Sequence, residues 1–308
     1  MTPAPLIVSI PDTRLRTELN SLRDDVNVVD WDMDSDAPVR RFDIVVPPYL
    51  RSPTVLTRLA RVSVELVQSQ SIGYNGVKES LPPGLVFANA AGVHETSTAE
   101  LAMALILASQ RGIPDFVHDA DVGRWAPFER QSLADRSVLL VGYGGVGRAL
   151  EARLLPFETT VVRVARSART DERGAVHGLE SLRELLPAAD IVVVAVPLTA
   201  ETTHLVDDSF LALMRDGGLL VNIARGPVAD TEALVAHAAS NRIRLALDVT
   251  DPEPLPRDHP LFKLPNVLVS PHVGGMTSAM MPRMARLLSE QISRMLDGAS
   301  PLNVVLRS

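Results

Sequence analysis

Short runs of β-branched and aliphatic residues alternate with helical stretches from one end of the chain to the other, and this alternation limits the fold more than any other feature. Strands are expected at Leu6–Ile10, Val26–Val29, Asp43–Val46, Val62–Val67 and Leu85–Phe87 in the first part. In the second part they fall at Ser137–Val141, Thr160–Val164, Ile191–Val196, Leu219–Ile223, Arg244–Leu247 and Val267–Val269. Helical stretches lie between them: Arg14–Arg23, Pro53–Arg61, Gly147–Leu155, Ser181–Leu186, Asp208–Met214 and Thr231–Ala239. Ser181 with Glu184 reads as a capping box and Asp230 as an N-cap. Strand–helix–strand repetition builds parallel sheets covered by helices on both faces, so the fold class is α/β. At about 150 residues per domain, the 308 residues accommodate two such units. Thr98–Ser109 is apolar on nearly every face, which buries it either inside the monomer or against a partner.

The strand Ser137–Val141 runs directly into Gly142-Tyr-Gly144-Gly-Val-Gly147 and a helix. Gly-x-Gly-x-x-Gly is a weak signal alone, but between strand and helix it reads as a dinucleotide-binding turn. Gly142 permits the tight turn, Gly144 lets a pyrophosphate approach the backbone, and Gly147 allows close helix–strand packing. Gly145 and Val146 complete the turn, whose helix N-terminus offers N–H donors to an anion. The end of the next strand decides which dinucleotide is preferred, because an Asp or Glu there binds a ribose 2′-hydroxyl. About 18 residues past Gly147 the sequence reads Val164-Ala165-Arg166-Ser167-Ala168-Arg169, with no carboxylate. Guanidinium groups suit a phosphate, so NADP(H) is favoured over NAD(H), with Arg166, Ser167 and Arg169 as contacts. The other reading makes both arginines solvated surface charges.

Ligands of open α/β sheets bind outside the carboxyl ends of the strands. There the second part of the chain places Pro197, then Ala224-Arg225-Gly226, then Asp248 through Glu253, then Ser270-Pro-His272. One Arg, one Glu and one His thus converge on a single rim. With no cysteine in the chain, thiolate catalysis, disulfides and Cys–metal sites are excluded, and no metal site is expected. Against 37 acidic side chains stand 30 basic ones, and a net charge of −7 argues against a nucleic-acid surface. No run reaches the ~18 apolar residues of a membrane span, and the N-terminus has no basic region of a signal peptide, so a cytoplasmic protein is expected.

In combination, Val141–Gly147, Pro197–Thr202, Val221–Asp230, Leu247–Pro256 and Ser270–Gly275 resemble the D-isomer-specific 2-hydroxyacid dehydrogenases. That family includes glyoxylate/hydroxypyruvate reductases and phosphoglycerate dehydrogenases. Ser71–Asn75 and Glu95–Glu100 extend the resemblance over nearly the whole chain. It implies two Rossmann-like, doubly wound domains: a substrate-binding domain from residues 1–95 and 275–308, and a dinucleotide-binding domain, 96–274, inserted into it. A homodimer around the helix near Ala99–Ser109 is also implied.

The resemblance also assigns roles. His272 matches the acid/base that protonates the forming alkoxide as hydride reaches a 2-keto carbon. Glu253 matches the carboxylate that orients this histidine and favours its protonated form, with Asp251 as the local competitor. Arg225 matches the arginine that binds the substrate carboxylate and polarises the carbonyl. Backbone amides near Ile72 and Gly73 would hold the other side of that carboxylate. Asp248 and the carbonyl of Ala224 would bind the nicotinamide carboxamide, while Pro197 and Thr202 would lie by the adenosine half. His94 is a further candidate for approaching the cofactor.

One departure concerns the backbone: Glu158 stands where relatives usually carry Gly, at the turn after Leu155-Pro-Phe. The favoured substrate is a small unphosphorylated 2-keto acid such as glyoxylate or hydroxypyruvate, giving a D-2-hydroxy acid. Phosphoglycerate, which calls for more positive charge than the lone Arg51 adds, is the alternative. A dinucleotide-sensing, corepressor-like binding protein is the non-enzymatic rival. Tyr49 is placed in the substrate pocket; Trp125 and Phe128 are either pocket walls or ordinary packing.

Overall fold

A computed structural model describes residues 5–19 and 25–308, so the expected helical stretch Arg14–Arg23 lies partly outside the described residues. The chain divides into two compact units, Met1–His94 with Thr277–Ser308, and Glu95–Met276.

The first unit contains β1 (Leu6–Ile10), α1 (Thr13–Glu18), β2 (Val26–Asp30), β3 (Arg41–Val45), β4 (Ser63–Gln68), α2 (Val77–Ser80) and β5 (Val86–Ala88). Pro53–Arg61 forms a helix as expected, but a 3₁₀ helix, entered through Ser52 with Pro53 in its first turn. The sheet runs β2-β1-β3-β4-β5 in parallel.

The second unit begins with α3 (Glu95–Arg111) and α4 (Ile113–Asp121). It continues with β6 (Ser137–Val141), α5 (Gly145–Leu154), β7 (Thr160–Val164), β8 (Arg169–Asp171), β9 (Gly174–Val176), α6 (Leu182–Leu185) and β10 (Ile191–Val194). It ends with α7 (Asp208–Leu213), β11 (Leu219–Asn222), α8 (Thr231–Ala239), β12 (Arg244–Leu247) and β13 (Val267–Val269). Its described strands pair in the order β7-β6-β10-β11-β12-β13, all parallel. The order reverses between β6 and β10, which is where a doubly wound sheet opens its crevice. Strands such as Ile191–Val194 and Leu219–Asn222 are buried throughout, because helices cover both faces of a parallel sheet. The helix α3 lies in the core on one side, with Ala99, Ala102, Met103, Leu105 and Ile106 buried against Val138, Leu140, Val193 and Val221.

The last stretch of chain returns to the first unit. There α9 (Met280–Leu296) buries Met280, Met284, Leu288 and Ile292 at helical spacing, and β14 (Val304–Arg307) pairs antiparallel with β5.

Two local expectations resolve differently. Asp230 caps α8, its Oδ1 accepting from the amides of Glu232 and Ala233 at 2.9 and 3.3 Å. The capping box of Ser181 and Glu184 does not form. Ser181 ends a 3₁₀ turn, Leu179–Ser181, with φ −81 and ψ −6, so its backbone is already helical and its side chain caps nothing. At Glu158 the backbone sits at φ 62 and ψ 34, so the left-handed turn is retained without a glycine.

Candidate active site

The glycines of the turn each meet a different physical demand. At Gly142, φ is +112 and a Cβ would stand 2.5 Å from the backbone carbon of Ala195. At Gly147 a Cβ would stand 2.3 Å from the carbonyl oxygen of Gly142, so the helix can lie this close to the strand only without a side chain. Gly144 is the opposite case: it is exposed, and a Cβ there meets nothing within 4 Å. Open space over an exposed glycine at the start of α5 is what a dinucleotide pyrophosphate requires, so these residues fit the group. Gly145 and Val146 follow as the first residues of α5.

Beyond β7 the chain carries Arg166, Ser167 and Arg169, all exposed. Arg166 has a long pair to Glu201, 3.8 Å between two exposed side chains. Arg169 is held more closely, donating from Nη2 to the carbonyl of Tyr143 at 3.2 Å. At the next strand end, Thr202 is buried and organises its own turn. Its hydroxyl donates to the carbonyl of Pro197 at 2.6 Å and accepts from the amide of Thr199 at 2.8 Å.

The strands β11, β12 and β13 are consecutive neighbours, so their carboxyl ends share one edge, roughly 4.8 Å apart per strand. Arg225 follows β11 and is half-buried, donating from Nη1 to the carbonyl of Ala224 at 2.6 Å. That carbonyl, the one expected at the nicotinamide, therefore already has a donor in this arrangement. Gly226 abuts the loop after β12 so closely that a Cβ would stand 1.8 Å from the carbonyl oxygen of Thr250.

His272 follows β13, and its Nδ1 lies 2.5 Å from Oε1 of Glu253, in the loop after β12. An ionised carboxylate has no proton to give, so Nδ1–H donates and Nε2 is the nitrogen left for chemistry. Both side chains are partly exposed, at 32% and 41%, so the pair is reachable from solvent. A histidine held by one nitrogen on a carboxylate, beside an arginine on the same sheet edge, can exchange a proton with an oxygen atom whose charge the guanidinium stabilises.

Asp248 carries a task that sequence reasoning did not assign. It is 3% exposed, and its carboxylate accepts from the Ser270 hydroxyl at 2.7 Å and from the amides of Val273 and Gly274 at 2.9 and 3.0 Å. It thereby fixes the turn that carries His272.

Ile72, Gly73, Tyr49 and His94 belong to the first unit, Trp125 and Phe128 to the second. Ile72 and Gly73 follow β4, where the Ile72 carbonyl accepts from the Asn89 side chain at 2.8 Å. Tyr49 is half-buried, its ring stacked on that of His94 with centroids 5.6 Å apart. His94 is buried, with Nε2 2.6 Å from the carbonyl of Gln70. Trp125 and Phe128 are not ordinary packing: they are 94% and 65% exposed. Phe128 instead carries the Arg130 guanidinium 3.5 Å above its ring. Among the described residues no helix is long and apolar enough to cross a membrane.

Comparisons with known proteins place this arrangement. The sequence profile described as "D-isomer specific 2-hydroxyacid dehydrogenase, NAD binding domain" matches residues 103–274. The chain is 34% identical over 253 residues to a glyoxylate reductase of Thermofilum pendens, spanning 79% of this chain and 75% of that protein. It is 30% identical over 277 residues to a D-3-phosphoglycerate dehydrogenase of Methanocaldococcus jannaschii, spanning 87% of this chain and 52% of that protein. Among solved structures it resembles a D-isomer specific 2-hydroxyacid dehydrogenase from Xanthobacter autotrophicus Py2 in complex with NADPH and MES. That likeness has a TM-score of 0.84 at 27% identity and covers 99% of each chain. The chain belongs to the D-isomer-specific 2-hydroxyacid dehydrogenases and is an NAD(P)-linked oxidoreductase of 2-keto acids.

Proposed function

We propose that the protein reduces a small, unphosphorylated 2-keto acid of the glyoxylate or hydroxypyruvate class to the D-2-hydroxy acid, preferring NADPH to NADH. The observation that carries this reading is the His272–Glu253 pair at the carboxyl edge of the sheet that bears the glycine turn. When bound, the reduced nicotinamide supplies the hydride to the 2-carbonyl carbon. Arg225 binds the substrate carboxylate and stabilises the negative charge that grows on the carbonyl oxygen. His272, protonated on both nitrogens, gives its Nε2 proton to that oxygen and keeps the Nδ1 proton on Glu253, which also holds the ring in plane. In this reading Glu95–Met276 is the dinucleotide-binding domain. The first unit supplies substrate contacts through Ile72, Gly73 and Tyr49. Arg166, Ser167 and Arg169, in a stretch that carries no Asp or Glu from Val164 to Arg169, support the preference for a 2′-phosphate.

The reading includes a homodimer. The inner face of α3 is already used within its own unit. Just beyond it, Ile113, Phe116, Val117, Val122, Trp125 and Phe128 expose apolar surface that monomers rarely leave uncovered.

Initial rates with glyoxylate, hydroxypyruvate and 3-phosphohydroxypyruvate, each with NADPH and with NADH, test the proposal. The unphosphorylated acids are expected to turn over best, and with NADPH. Turnover of 3-phosphohydroxypyruvate far above the others would move the assignment to the phosphoglycerate class, and no turnover of any 2-keto acid would support the sensor. His272→Ala should abolish turnover while cofactor still binds.

A further inference from the structure

Among the described strands β7 forms one edge of the parallel sheet. The chain then turns back as the short hairpin β8–β9, antiparallel from Arg169↔Val176 to Asp171↔Gly174. Behind this hairpin lies a group of charges that nothing above explains. Glu151, on α5, is 4% exposed, yet Tyr143 donates its hydroxyl to Oε2 at 2.5 Å and Arg173 donates Nη1 to the same oxygen at 2.6 Å. Arg163 stands with Nε 3.7 Å from Oε1. From there Arg163 ties the hairpin together, donating to Asp171 at 3.0 Å and to the carbonyls of Arg173 and Ala175 at 2.7 and 3.1 Å.

We infer that Tyr143, Glu151 and Arg173 form a positioning network for Arg169, making the β8–β9 hairpin an element that selects for the adenosine 2′-phosphate. The inference rests on the NADPH reading above. Three observations carry it. First, Glu151 and Asp171 face the guanidinium groups of Arg163 and Arg173, and Arg169, which also acts on Asp171, brings a further one to the exposed edge. Second, Arg169 is registered on the network. Its Nη2 donates to the carbonyl of Tyr143 at 3.2 Å and its guanidinium carbon lies 5.9 Å from the Tyr143 ring centroid. Tyr143 is itself held at the other end by Glu151 and stands next to Gly144, the residue that would face the pyrophosphate. Third, a buried ionic cluster is seldom retained for stability alone, because apolar side chains of similar volume do as well. It does fix the direction of a long side chain, and an arginine ordered beforehand loses less freedom when a phosphate arrives. Hydrogen bonding supports the same picture at Asp171, whose carboxyl is held below the usual range by the Arg173 amide and the Arg163 guanidinium.

The test is a cofactor-specificity cycle on the intact enzyme. Tyr143→Phe removes the hydroxyl anchor without changing the ring, and Arg173→Ala removes the exposed guanidinium bonded to Glu151, with thermal melts checking that each variant is folded. Each should lower kcat/KM for NADPH about tenfold, through KM, while the NADH value stays within about twofold. Arg169→Ala should lower the NADPH value at least as far, and adding Tyr143→Phe to it should cost nothing more. If Arg169→Ala leaves the NADPH/NADH ratio unmoved, the 2′-phosphate reading falls and this inference with it. If Arg169→Ala moves the ratio but Tyr143→Phe and Arg173→Ala do not, or lower both cofactors alike, the inference alone is overturned.

Discussion

Adding one methyl group to each of two glycines in the same turn should damage two different properties. In Gly142→Ala the new Cβ would lie 2.5 Å from the backbone carbon of Ala195 and 2.7 Å from the amide nitrogen of Val196, at φ +112. Neither neighbour is the end of a flexible side chain, so the segment after β10 or the turn itself must move. The backbone conformation costs about 1–3 kcal/mol and the overpacking a further 1–3 kcal/mol. Together they remove a large part of the 5–15 kcal/mol that typically holds a domain folded. In Gly144→Ala the Cβ meets nothing within 4 Å and φ is −93, so the free protein should keep its stability within about 1 kcal/mol. The same methyl group fills the space through which a pyrophosphate reaches the backbone amides. Losing one charge-assisted hydrogen bond there costs roughly 1.5–3 kcal/mol, a weakening of Kd by about 10- to 150-fold. Thermal melts of both variants, with titration of cofactor against intrinsic fluorescence, separate the two effects. A Gly144→Ala variant that binds cofactor like the parent, or a Gly142→Ala variant that melts like it, would refute the assignment of the turn.

Asp248→Ala strips the acceptors from the Ser270 hydroxyl and the Val273 and Gly274 amides, and is expected to lower stability by about 2–4 kcal/mol. Calorimetry measures the loss; a melt within 1 °C of the parent would mean that the turn holds without it. Glu253→Gln keeps the shape of the loop but not its charge, so kcat should fall by about 10- to 100-fold with cofactor Kd unchanged; a parental kcat would show that Glu253 does not act on His272. Asp207 caps α7, and the Phe210 amide and Ser209 hydroxyl hold its carboxyl below the usual range. Because its folded-state pKa is depressed, that stabilisation is complete above the unfolded value and disappears as pH falls through the folded one. Asp207→Ala should therefore cost about 1 kcal/mol at neutral pH and progressively less in acid, read from urea midpoints across a pH series.

How much of this was legible in the sequence depends on what stabilises each part. Strands such as Ile191–Val194 and Leu219–Asn222 are buried on both faces and so appear as continuous aliphatic runs. The hairpin β8–β9 has no such pattern: its three-residue strands read Arg-Thr-Asp and Gly-Ala-Val, and side-chain bonds from Arg163 hold it. In α4 the apolar residues face outward, with Phe116 and Val117 exposed and none of its residues buried, so the pattern that normally marks a core helix misleads there. The stripe Met280, Met284, Leu288, Ile292 did carry a helical period, although only its burial shows which face it serves. Strand-end reasoning brought Arg225, Glu253 and His272 to one edge. It could not show that a histidine and a glutamate 19 residues apart would meet at 2.5 Å. The turn that carries His272 is held by Asp248, which the resemblance assigned to the nicotinamide carboxamide and not to that turn.

The backbone of His272 shows why that dependence matters. Its φ is 53, the left-handed region, which costs a side-chain-bearing residue about 1–2 kcal/mol. The strain persists because the surrounding turn is over-determined. The His272 amide donates to the carbonyl of Asp248 at 2.8 Å, and the flanking residues donate to both oxygens of the Asp248 carboxylate. Asp248 leads within five residues to Glu253, so one residue at the end of β12 sets both the backbone that aims the imidazole and the loop that supplies its carboxylate. Neighbouring parallel strands, paired at Leu247↔Val269, keep these two chain segments in register. Orientation of the His272 imidazole is thus decided in the sheet, upstream of any contact that substrate or cofactor would make.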